Sequence, residues 1–179
     1  QCLAIGVVAL TLAACTTTPP TEPADAFMAN LNKLCGQTHE GRLVTTDPAD
    51  ADFAGKKLVM GPVACTPGEV RVPFAVGDNR SRTWVITRTA TGVRLKHVHR
   101  HDDGSEDKVS RYGGDTAAAG TATRQEFPAD DYSKQMFLAN KLERSVTNVW
   151  AVEIVPGKHY AYELRRTNRF FRVEFDTSR

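Results

Sequence analysis

From about residue 41 onward, apolar and polar residues alternate at period two in short runs divided by turn residues. That period is the mark of half-buried β-strands. It predicts strands at 41–46, 56–64, 69–75, 83–88, 93–101, 107–112, 121–127, 147–155, 158–166 and 169–175. Pro156-Gly157 and Thr167-Asn168 are short enough for hairpin turns, and Tyr112-Gly113-Gly114-Asp115 also reads as a turn. In 158–166 one face carries Tyr160, Tyr162 and Leu164, the other His159, Glu163 and Arg165. In 169–175 Phe171, Val173 and Phe175 oppose Phe170, Arg172 and Glu174. Such strands belong to an antiparallel sheet with one wet face.

Two stretches keep helical spacing instead. Phe27, Met28, Leu31, Leu34 and Cys35 recur at intervals of three and four, with Asp25 placed to cap the start and Gly36 to stop the end. A second helix is predicted over 131–144 from Tyr132, Met136, Leu138 and Leu142. The expected fold is mainly β: an antiparallel barrel of about 8–10 strands with an N-terminal helix and one further short helix. Sequential strands behind a leading helix resemble the calycin barrels, the lipocalins and fatty-acid-binding proteins. The resemblance is architectural, since the lipocalin Gly-x-Trp near the first strand is absent. It implies one barrel domain over 25–179 with a ligand in or near its mouth; an open sandwich is the alternative.

The beginning of the chain has a different character. Residues 1–14 are uncharged and apolar or small, too short to cross a bilayer comfortably but fitting the core of a secretion signal. The chain starts at Gln1 with no basic residue before the apolar run, so the signal's own start is expected to lie upstream. Leu12-Ala13-Ala14-Cys15 resembles the lipobox of bacterial lipoproteins. The resemblance implies cleavage before Cys15, lipid attachment to its thiol, and a protein held in the cell envelope through its membrane anchor. Thr16 in place of Asp implies the outer membrane, with the domain facing the periplasm. Residues 15–24, rich in Thr and Pro, read as a tether between lipid and barrel. With Cys2 in the signal and Cys15 acylated, Cys35 and Cys65 are left as an even pair in an oxidising compartment. A disulfide between them is expected to stabilise the fold by about 3–4 kcal/mol on the chain-entropy account.

Charge narrows the partners. The chain has 23 basic and 21 acidic residues, net +2, with the basic ones dispersed, a balance that does not favour nucleic acid.

The candidate chemistry sits on 93–101, where Val93, Leu95, His97, His99 and His101 share one face. A buried row of imidazoles needs partners, and three readings supply them. The first is a small polar, anionic or amphipathic ligand held by the histidines with Arg82 and Arg111, favoured by the basic surroundings of Arg80, Arg94, Lys96 and Arg100. The second is a transition metal such as zinc on His97 and His99, with a third ligand from His159, Glu163 or Glu153; all three histidines cannot reach one ion. That reading would make the protein a metal-dependent enzyme. The third is pairing with Asp102, Asp103, Glu106 and Asp107 in the adjoining turn and no ligand at all. No G-x-S-x-G, H-E-x-x-H or phosphate-binding glycine loop occurs, so no catalytic residues and no cofactor are predicted. Trp84 and Trp150 read as core more than as a ligand platform. An envelope assembly factor acting by protein contacts is a further reading.

Overall fold

The computed structural model describes residues 22–178. Cys15, the signal segment and most of the tether lie outside the described residues. The chain forms helix α1 (Pro23–Asn32), then strands β1 (His39–Leu43), β2 (Leu58–Met60), β3 (Ala64–Thr66), β4 (Glu69–Val76), β5 (Asn79–Arg88) and β6 (Val93–His99). β7 (Tyr112–Asp115), β8 (Arg124–Pro128), α2 (Asp131–Ala139), β9 (Val149–Val155), β10 (His159–Arg166) and β11 (Arg169–Asp176) follow. All pairings are antiparallel, in the order β7-β6-β5-β4-β2-β1-β11-β10-β9-β8, with β3 added on β4. The sheet is a nearly closed barrel. Its two ends meet at a seam where the Asp130 amide donates to the Gly113 carbonyl at 2.9 Å. The hydroxyl of fully buried Ser133 in α2 accepts from the Gly113 amide at 2.8 Å.

Alternation fails as a guide in a few places, each for a local reason. The strand expected at 56–64 is split into β2 and β3 by Gly61-Pro62, since proline brings no ladder donor. The strand expected at 107–112 does not form. There the Asp107 carboxylate accepts from the Val109 amide, as that of Asp103 does from Ser105 just before, bending the chain into a loop. The strand is instead β7, in the stretch read as a turn. Its two glycines allow close approach: a Cβ on Gly113 would lie 1.9 Å from the Leu95 carbonyl oxygen, and one on Gly114 1.8 Å from that of Pro128. α1 starts two residues before the expected cap because Pro23 suits the first helical position, so Asp25 sits in the first turn and pairs with Arg88 at 2.6 Å. α2 is capped by Asp130, whose carboxylate accepts from Ser133, and ends early where Lys141 takes φ +58°.

Tyr160, Phe171, Val173 and Phe175 point into the barrel and are buried, as their alternation requires, and Phe170 is exposed on the outside. Phe27 and Leu31 of α1 are fully buried in the same core. Cys35 and Cys65 form the expected disulfide, tying the chain after α1 to β3. The contacts of α1 fall at the far ends of the strands: Arg88 closes β5, and Asn30 donates to the Ala122 carbonyl at 2.9 Å, beside the end of β9. The helix therefore seals one end of the barrel and leaves the other as a mouth.

Candidate functional site

At the mouth lies a cavity of about 270 Å³, walled by residues from the opposite ends of the same strands. β5 contributes Arg82 and Trp84, β6 His97 and His99, β9 Trp150, and β10 Tyr162 and Arg166. Phe53, from the β1–β2 loop, packs 4.8 Å from the Phe171 ring at the rim. Both tryptophans belong to the core, at 2% and 1% exposure, and both also line the cavity.

His97 is enclosed and has a partner on each nitrogen. A carbonyl can only accept, so Nδ1 carries the proton and donates to the Tyr112 backbone oxygen at 3.0 Å. Nε2 lies 2.7 Å from the Tyr162 hydroxyl and accepts from it. Burial lowers the imidazole from its ordinary 6.5 to about 3 and holds the tyrosine hydroxyl well above its usual range, so both are neutral. His97 also stacks on Tyr112, with ring centroids 4.5 Å apart. His99 sits nearer the opening, its Nε2 2.9 Å from the Tyr112 hydroxyl, and burial followed by the charge of Arg82 lowers its pKa.

β6 ends at His99, and His101 falls outside the cavity, exposed and 3.6 Å from the Asp107 carboxylate. Arg111 is outside too, held by Glu106 through two contacts of 2.6 and 2.7 Å. The structure thus gathers His97, His99 and Arg82 and leaves His101 and Arg111 apart. Arg94, Lys96 and Arg100 lie on the outer face, paired with Asp115, Asp130 and Glu106.

Among the described residues, no group of three or more His, Cys, Asp or Glu is arranged to hold a metal ion. The His97 lone pair is already taken by Tyr162, and the side chains weighed as a third ligand sit in an ion-pair network on the barrel's outer face. There His159 meets Glu153 at 2.7 Å and Glu163 takes Arg124 at 2.6 Å. These residues do not fit a His97–His99 metal centre.

The sequence reading missed the second basic wall. Arg166, on β10, donates to the Asn148 side-chain oxygen at 3.1 Å and has no carboxylate partner among the described residues. Burial, then the charges of Arg169 and Arg144, lower its pKa. Arg169 beside it is neutralised by Asp50, which is 1% exposed, and by Asp47 at 3.5 Å. Among the described residues Arg82 likewise hydrogen-bonds the neutral Asn79 side chain, at 3.0 Å, and no carboxylate, with its guanidinium 5.7 Å over the Phe53 ring. The signal available in the sequence was Arg165-Arg166-Thr167-Asn168-Arg169, three arginines at one hairpin tip.

The fold and cavity define a one-mouthed antiparallel barrel with an aromatic, cationic opening. Scans against protein-family models, curated proteins and solved structures found no match to this chain.

Proposed function

We propose that this chain is a lipid-anchored binding protein of the cell envelope that holds a small anionic ligand with an apolar body in the barrel mouth. One observation carries the reading. Arg82 and Arg166 line an aromatic cavity, and among the described residues neither is neutralised by a carboxylate. A guanidinium held near apolar walls without a counter-charge is unfavourable by itself, and an incoming anion relieves it. Concave sites with apolar walls and a few convergent polar groups are the usual form of ligand pockets. The neutral His97–Tyr162 pair belongs to the wall of such a site, since His97 spends its proton on the Tyr112 carbonyl and Tyr162 spends its own on His97, which leaves neither a donor for a ligand.

The anchor rests on Leu12-Ala13-Ala14-Cys15. A Cys15→Ser variant is expected to leave the membrane fraction and appear as soluble protein; retention in the membrane overturns the anchor. Native mass spectrometry of envelope-extracted protein tests the binding. A small anion is expected on the wild type and its loss in the Arg82→Gln, Arg166→Gln double variant. A bare mass for the wild type, or the same adduct on both proteins, overturns the mouth as the ligand site.

A further inference from the structure

The geometry points to a compact, flat aromatic anion, and not an acyl chain, as the occupant of the mouth, with Arg166 holding its charged group. This deepens the binding reading above and rests on it.

Depth is the first reason. Below the mouth the barrel is filled: Tyr160, Phe175, Ile86 and Leu95 are fully buried, and Phe27 and Leu31 of α1 enter from the sealed end, also at 0% exposure. Protein interiors packed in this way hold few voids larger than a water molecule. An acyl chain needs a long shaft, and this barrel offers a basin. Its 270 Å³ falls just under the range of roughly 300–1,000 Å³ typical of ligand pockets, which suits a short ligand.

The walls give the second reason. Trp84 stacks on Tyr162 at 4.4 Å and on Phe74 at 4.6 Å, and Trp150 lies 5.6 Å from Tyr112. Rings gain from offset or edge-to-face contact with another ring beyond what area alone supplies, and a saturated chain does not.

Charge placement gives the third. Arg169 is already committed to Asp50 and Asp47, so of the arginines at this hairpin tip Arg166 is the one that lines the cavity without a carboxylate among the described residues. Asn148 holds one of its nitrogens and leaves the planar fork otherwise unclaimed among the described residues. A carboxylate, sulfonate or phosphate matches that fork with two parallel hydrogen bonds. Arg82 is on the far wall: β5 and β10 stand third and eighth among the ten strands in the barrel order. With its charge over Phe53, it adds a positive field across the basin.

Isothermal calorimetry with naphthoate, its neutral amide and palmitate tests the inference. Naphthoate is expected to bind, the amide more weakly, and palmitate not at all. Arg166→Gln should weaken naphthoate about ten- to hundredfold and leave the amide unchanged. Arg111→Gln, on the outer face, should change neither. Should Arg166→Gln fail to fold, as judged by its melting curve, Asn148→Ala takes its place; it loosens the guanidinium and should weaken naphthoate several-fold. Palmitate binding as tightly as naphthoate overturns the aromatic assignment while leaving the mouth a ligand site. Unchanged naphthoate affinity in Arg166→Gln, or in its replacement, overturns the role of that arginine. No heat from any of the three probes overturns this inference, while the binding reading stands or falls with the adduct on the envelope-extracted protein.

Discussion

His97 shows what one side chain does in this barrel. With its imidazole lowered from 6.5 to about 3, the folded state binds no proton on His97 over most of the range in which the unfolded chain does. Stability from this group is complete above about pH 6.5 and is lost progressively as pH falls toward 3. Over the two units from pH 6.5 to 4.5 the loss is about 2–3 kcal/mol. Depressed carboxylates such as Glu153, Glu163 and Asp115 act in the same direction, but only as pH falls through and below the ordinary carboxylate range, so the upper window belongs mainly to the histidines. Urea titrations at the two pH values should show this slope in the wild type and a much flatter one in His97→Gln. A slope that survives the substitution rules His97 out as its source. The sequence placed His97, His99 and His101 on one face correctly as far as the strand runs. Where β6 stops was not legible, because it depends on how the 100–111 loop folds. Depth along the strand then separates the three: His97 in the wall, His99 at the opening, His101 in solvent.

At the scale of elements, period-two alternation located most strands because each has one apolar face, as β10 and β11 do. It missed β7, whose middle residues are Gly113 and Gly114 and show no alternation to read. The requirement for glycine there comes from neighbours far away in sequence, Leu95 and Pro128, so no local pattern could announce it. Gly114→Ala puts a methyl group 1.8 Å from a backbone oxygen across the seam, where no side chain can swing aside. A loss of at least about 2 kcal/mol is expected, with faster amide exchange in β7 and β8. Gly104→Ala is the control: φ is +83° but its surroundings are open, so only the left-handed backbone resists, at about 1 kcal/mol. Equal costs for the two would mean that the seam yields easily and that the barrel is held closed elsewhere. The missed wall of the cavity has the same origin. Arg166 sits on a strand the pattern found, but its closeness to Asn148 depends on how β10 meets the chain just before β9.

Across the whole molecule, charge is distributed unequally between outside and mouth. The outer face of β8 to β11 carries a continuous ladder in which Arg124 and Arg172 both hold Glu163, Arg172 also reaches Glu153 at 2.9 Å, and Glu174 extends the chain to Arg42. Burial pushes the Glu163 carboxyl up, and hydrogen bonds from the two arginines outweigh it and hold the group below its ordinary value. The mouth keeps Arg82 and Arg166 without such compensation. A residue selected for the fold should cost stability when its charge is removed, whereas one retained for binding should not. Glu163→Gln removes the buried carboxylate that Arg124 and Arg172 share, and about 1–3 kcal/mol of stability should be lost. Arg42→Gln removes an end of the ladder that is 77% exposed, and the effect should stay within about 0.5 kcal/mol. Arg166→Gln removes a charge disfavoured by burial and then by Arg169 and Arg144, and it should be neutral or stabilising by up to about 1 kcal/mol. Denaturant midpoints for the three variants decide the matter. If Arg166→Gln destabilises the protein as much as Glu163→Gln, then Arg166 belongs to the scaffold, and the positive charge of the mouth is a by-product of folding with no bearing on a ligand.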